Sequence, residues 1–93
     1  MTAKERKKLD SYYRRKYGVD YSFYEAKWKA QGEVCALCYK EKLPGQRRFS
    51  LDHNHKTGRI RQILCLYCNK YRVGKLDSGW ALRIYNYLKF NDS

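Results

Sequence analysis

Two C-x-x-C pairs constrain this chain more than any other feature. Cys35-Ala36-Leu37-Cys38 and Cys65-Leu66-Tyr67-Cys68 hold all four of its cysteines. A two-residue gap lets both sulfurs of a pair face one ion, and zinc takes four such thiolates tetrahedrally at about 2.3 Å. The segment between residues 38 and 65 must then return on itself, because both its ends are tied to one point. A closed four-thiolate site has no open coordination position, so its ion is structural. Two other uses of the pairs stay open. Redox-active C-x-x-C motifs accompany a βαβ pattern, and disulfides accompany secretion; the sequence shows no sign of either.

Size explains why an ion would be needed. A chain of 93 residues is expected to form one domain, burying only about 60–65% of its unfolded surface. An apolar core alone is marginal at that scale, and a structural metal is a common remedy. An apolar content of 43% argues against disorder, and 10 Tyr, 3 Phe and 2 Trp supply large units for burial. No apolar run is long enough to span a bilayer. Basic residues at Lys4, Arg6, Lys7 and Lys8 are followed by no apolar stretch, so a secretory signal is not expected. The expectation is a soluble, intracellular protein with no membrane partner.

Charge narrows the partner. Lys and Arg total 21 against 9 acidic residues, a formal +12. Such a field destabilises the compact state by self-repulsion, which points to a polyanion and first to nucleic acid. The blander alternatives are a merely soluble basic protein or one bound to an acidic membrane surface.

The local signals order themselves around the cysteines. Thr2-Ala3-Lys4-Glu5 has the form of a capping box, predicting a basic helix over about 3–17 with Leu9, Tyr12, Tyr13 and Tyr17 on one face and Gly18 as its stop. Ser22-Phe23-Tyr24-Glu25 reads as a second capping box, with Tyr21 and Ala26 at the staple positions, for a helix reaching about Gln31 and stopping at Gly32. Phe49 and Leu51 alternate with Arg48, Ser50 and Asp52, the pattern of a half-buried strand. Lys56-Thr57-Gly58 turns the chain, and residues 60–64 form the returning strand. The second cysteine pair leads into a short helix over about 66–73. Asp77 or Ser78 caps a last helix with Ala81, Ile84, Tyr85 and Leu88 on one face.

With the cysteines committed to zinc, Leu51-Asp52-His53-Asn54-His55 is left for other chemistry. The bland reading places the histidines on a turn, with Asp52 and Asn54 making an Asx turn. Position argues for more. Asp52 and His53 end one strand, and Asn69 opens the helix that the second pair would clamp beside it. One carboxylate and one amide oxygen suffice for a hard ion such as Mg²⁺, which keeps several waters. His53, with an imidazole suited to proton transfer at neutral pH, is then free to deprotonate a water. The pattern reads as a metal-dependent nuclease.

Three runs carry a family likeness: Gly32-Glu33-Val34-Cys35-Ala36-Leu37-Cys38, Leu51-Asp52-His53-Asn54-His55-Lys56-Thr57-Gly58-Arg59-Ile60-Arg61, and Leu64-Cys65-Leu66-Tyr67-Cys68-Asn69. They closely resemble the recombination endonuclease VII family, a phage-associated branch of the HNH (ββα-metal, or His-Me finger) nucleases. The likeness extends over about residues 15–90. It implies an α+β fold: a zinc-stabilised ββα-metal core over 19–76, flanked by a basic N-terminal helix over 1–18 and a C-terminal helix over 77–93. It implies hydrolysis of DNA phosphodiesters to 5′-phosphate and 3′-hydroxyl products, in the cytoplasm of a phage's bacterial host. Asp52 and Asn69 would bind Mg²⁺ or Mn²⁺, His53 would be the general base, and His55 would orient the scissile phosphate. One departure stands out: Tyr39 follows the first pair, where the family usually has a small or turn-forming residue such as Gly.

Arg47, Arg48, Lys56, Arg59, Arg61, Lys70, Arg72 and Lys75 surround this site in sequence and are expected to hold the phosphate backbone, with steep salt dependence. Nothing resembles a base-reading helix, so sequence preference should be weak. The N-terminal helix would grip DNA, mediate association as a homodimer or with a partner protein, or present a solvated face. The alternative to hydrolysis is a non-catalytic zinc-bound nucleic-acid-binding module or a phage accessory protein.

Overall fold

A computed structural model describes residues 1–73 and 81–92 as a small α+β fold. Its elements are α1 (Ala3–Tyr17), α2 (Tyr21–Ala30), β1 (Ser50–His53), β2 (Ile60–Leu64), a π-helical segment Cys68–Val73, and α3 (Ala81–Asp92). The expected caps Asp77 and Ser78, and Lys75, lie outside the described residues.

Helix α1 begins as its sequence predicts, with the Thr2 hydroxyl accepting from the Glu5 amide at 3.1 Å, and ends at Gly18 with φ +74°. Helix α2 departs from expectation. It starts one residue before Ser22, and its cap is Asp20, whose Oδ1 accepts from the Phe23 amide at 3.1 Å. The two polar members of the expected box are used by α1: Arg6 donates to the Ser22 hydroxyl at 3.0 Å and pairs with Glu25 at 2.8 Å. Drawing Tyr21 into the helix also buries it, and Asp10 Oδ1 accepts from its amide at 2.9 Å.

Strands β1 and β2 form a two-stranded antiparallel sheet with Ser50 opposite Leu64, Leu51 opposite Ile63 and His53 opposite Ile60. The register slips by one residue between Leu51 and His53, so both Arg61 and Gln62 face Asp52. Such a bulge re-aims a side chain. Its effect here overturns simple alternation, because Leu51 and Asp52 are both buried, Asp52 to 4% exposure. The outer edge of β2 is closed by the side chain of Gln31, just past α2. Its amide donates to the Ile63 carbonyl at 2.9 Å and its oxygen accepts from the Ile63 amide at 2.9 Å. Ala36 of the first cysteine pair donates to that same carbonyl at 3.1 Å, which ties the knuckle to the sheet.

The core is a cluster of Tyr13, Tyr21, Tyr24, Leu37, Phe49, Leu51, Ile63, Leu64, Ile84 and Tyr87 around Cys35, Cys65 and Cys68. Buried tyrosines need partners for their hydroxyls, and Tyr24 donates to the Phe49 carbonyl at 2.6 Å. In α3 the buried stripe is Ile84, Tyr87 and part of Leu88. Tyr85, expected on that face, is 58% exposed. The rotation follows from Tyr87, whose hydroxyl reaches the buried Asp52 and the Gln62 amide. Among the described residues no helix is long and apolar enough to cross a membrane.

Candidate metal centre and active site

The four cysteines converge. They are free thiols, and all four sulfurs lie within 4.8 Å of one another. Cys38 Sγ and Cys65 Sγ are 3.9 Å apart, close to the edge of about 3.8 Å that a tetrahedron with 2.3 Å metal–sulfur bonds requires. An antiparallel bridge between Val34 and Glu41 frames the first pair, and the Cys35 carbonyl accepts from the Tyr39 amide at 3.0 Å. To close that loop Tyr39 adopts φ +62°, a left-handed conformation that costs a non-glycine residue about 1–2 kcal/mol. The unusual residue noted in the sequence therefore sits where a glycine would be unstrained.

Burial and neighbouring amides pull the thiols in opposite directions. Burial pushes the Cys65 and Cys68 thiols up from the ordinary 9.0. Burial also opposes ionisation of Cys35, but backbone amides at Cys38, Cys65 and Leu37 donate to it and bring it below that value. A divalent ion deprotonates coordinating thiols outright, so the quartet is positioned to bind a metal and gains from one. Arg72 donates from NH1 to Cys68 Sγ at 3.2 Å, placing a positive charge against a cluster that would carry excess negative charge when ionised.

The second group lies at the turn end of the hairpin. His53 closes β1, and His55 follows in the turn. The ring centroids are 4.5 Å apart. Asn54 shapes this turn: its Oδ1 accepts from the amides of Lys56 at 2.9 Å and Thr57 at 3.2 Å. The Asx turn is real, but it belongs to Asn54, and beside it His55 is exposed and His53 half-buried. Tyr17, at the end of α1, meets the His53 ring edge-on at 5.5 Å.

Asp52 points the other way, into the fold. Its Oδ2 accepts from the Tyr87 hydroxyl at 2.8 Å and from Arg61 NH1 at 3.3 Å. Arg61 holds Asp92 with two further bonds of 2.8 Å each. With Oδ2 doubly engaged, Oδ1 makes no hydrogen bond among the described residues and is the oxygen left for a ligand. Asn69 is the second residue of the π-helical segment, and its amide donates to the Cys65 carbonyl at 3.0 Å. Its carboxamide is likewise uncommitted among the described residues, and no bond joins it to Asp52. The only described group of three or more His, Cys, Asp or Glu with metal-ligand spacing is the cysteine quartet.

The basic residues divide. Arg48 donates to the Tyr21 hydroxyl at 3.2 Å and lies over its ring. Arg61 is committed to Asp52 and Asp92, and Arg72 to Cys68 and the face of Tyr67 at 4.8 Å. These three arginines have structural partners. Lys56 and Arg59 sit exposed on the hairpin turn, and Lys70 is exposed with its ammonium over Tyr71 at 5.2 Å. Sequence reasoning missed Tyr87, Asp92 and Tyr17 as neighbours of the site. Only Tyr17 carried a signal, its place on the apolar stripe of α1.

The family described as recombination endonuclease VII matches this chain over residues 10–90. The gene 59 protein of Mycobacterium phage D29 is 44% identical over 66 residues, which are 70% of this chain and 36% of the relative. The gene 59 protein of Mycobacterium phage L5 is 38% identical over 65 residues, again 70% of this chain and 36% of the relative. This chain thus spans little more than a third of the curated relatives it matches. No solved structure matches it.

Proposed function

This chain belongs to the recombination endonuclease VII family, and on that footing we propose that it is a divalent-metal-dependent DNA endonuclease of the HNH type with little sequence specificity. In this reading residues 1–93 form one domain, and the hairpin with the π-helical segment is its ββα-metal core. Family membership implies DNA as the substrate. The observation that carries the reading is the pairing of the His53 and His55 rings at 4.5 Å, one residue from a carboxylate whose Oδ2 is fixed by Tyr87 and Arg61.

Two ions are proposed, with separate sites. Zinc, held by Cys35, Cys38, Cys65 and Cys68, would be structural. Mg²⁺ or Mn²⁺, held by Asp52 and Asn69 with waters completing its shell, would polarise the phosphate and stabilise the departing oxyanion. The chain's own residues do the rest. A ring nitrogen of His53 takes the proton of the attacking water, Tyr17 limits the swing of that ring, and His55 orients the phosphate from the turn.

The test is nicking of supercoiled plasmid with added Mg²⁺ or Mn²⁺. Loss of a general base typically costs about 10²–10⁴-fold, and His53→Ala should fall in that range. Asn69→Ala should lose metal-dependent nicking while keeping its zinc content. Equal nicking by wild type and His53→Ala would remove His53 as the base. No cleavage of plasmid, branched or single-stranded DNA by wild type would favour a binding module.

A further inference from the structure

Arg47 stands at the meeting point of open clefts, and its guanidinium makes no hydrogen bond or ion pair among the described residues. Its neighbour Arg48 is tied to Tyr21, so the difference is not one of sequence position. On one side a cleft runs between α1 and β1, past Tyr12, Lys16, Tyr17 and Ser50. It ends one ring away from the proposed base, since Tyr17 touches His53. Lys16 is fixed there, donating to the Tyr12 hydroxyl at 3.2 Å with its ammonium 5.5 Å from the centre of the Tyr17 ring. On the other side a cleft runs past Lys40 and Gln46 to Leu66 and Tyr67 on the second knuckle. Neither of these two clefts is lined by a carboxylate. A third cleft at Arg47 is, by Glu33, and its other walls include Trp28 and Lys42.

We propose that the two carboxylate-free clefts are one trough carrying the backbone of a DNA strand, from Tyr67 past Arg47 to Lys16 and Tyr17 beside His53. The identification of the occupant rests on the nuclease reading, whereas the trough itself rests on its charge and shape. Polyanion complementarity along a line of Lys40, Arg47 and Lys16 supplies backbone affinity. At the far end Tyr67, 53% exposed and carrying Arg72 over its ring at 4.8 Å, offers an aromatic ring of the kind on which unpaired bases stack. This gives α1 a defined role as one wall of the strand path.

The test is a salt titration of oligonucleotide binding by the protein as purified, without added magnesium or manganese. Removing one phosphate contact lowers the slope of log K against log salt by about 0.7–0.9, or about five- to eightfold in affinity at ~0.1 M salt. Arg47→Ala, Lys16→Ala and Lys40→Ala should each do so with zinc content and helicity unchanged. Lys29→Ala, which removes an exposed charge on α2 outside both clefts, should leave the slope alone. An unaltered slope for Arg47→Ala, an equal loss for Lys29→Ala, or no binding by the parent protein overturns the proposal. The two readings fail separately: absence of nicking leaves these slopes untouched, and a flat mutant series leaves nicking untouched.

Discussion

Asp52 shows how one residue's role is set by what lies across a bulge. Because Arg61 and Gln62 both oppose it, its side chain turns inward and meets the Tyr87 hydroxyl. That hydroxyl donates to Asp52 and accepts from the Gln62 amide at 3.1 Å. Burial first, and then the Asp52 charge, holds the phenol far above its ordinary 10.0, so it stays a donor at every pH of interest. Tyr87→Phe would remove one oxygen and leave the buried Asp52 carboxylate and the half-buried Gln62 amide each short of a partner, at about 1–3 kcal/mol for such a loss. Urea denaturation should show a drop in that range while zinc content is kept; a variant as stable as wild type would mean that water replaces the hydroxyl freely. The D-H-N-H string made Asp52 and His53 legible as candidates. It could not identify Tyr87, because Tyr85 and Tyr87 are the same residue type and only the rotation of α3 against the sheet distinguishes them.

Helix α3 is held at its far end by charge. Asp92 is its last residue, where a carboxylate is disfavoured by the helix dipole. Arg61 offsets this with its two-bond grip, and the hydrogen bonds from Arg61 hold the Asp92 carboxyl below its ordinary 3.8. A depressed native pKa contributes stability that is complete above the unfolded value and is lost as pH falls through the native one. Wild type should therefore exceed Asp92→Asn in melting temperature by a constant margin above about pH 5. That margin should narrow as pH falls below 3.8, and one that stays constant through the acid range would place the contribution of Asp92 in packing instead of charge. Comparing the two proteins at each pH cancels acid loss of the metal, which both suffer. Helix existence was legible here, and helix ends less so. Ser22 and Asp20 are both good caps, and the choice fell to Asp20 because Arg6, a residue of another helix, bonds Ser22 and Glu25.

At the scale of the whole molecule, three of the cysteines are buried in a core shared between tyrosines and aliphatic residues. They join the loop after α2 to the end of β2 and to the π-helical segment, so these three elements are anchored within a few residues of the quartet. Their spacing made the quartet legible in the sequence. The contribution of Arg72 to it was not, because an arginine four residues beyond Cys68 in so basic a chain reads first as a phosphate contact. Binding of structural zinc is worth about 10–16 kcal/mol at neutral pH in small modules, against a net stability of about 5–15 kcal/mol for whole domains. A chain of formal charge +12 also pays self-repulsion when compact, so little stability should remain once the ion is gone. Without it, buried Cys65 and Cys68 return to the neutral thiol, and the sulfurs lose what held them together. Chelation should therefore abolish the helical circular dichroism signal together with the cooperative melt, and added zinc should restore both. Cys65→Ala should not recover on zinc addition. Retention of a cooperative melt within a few degrees of wild type by the chelated protein would show that the apolar core carries the fold unaided, and that the quartet serves something other than stability.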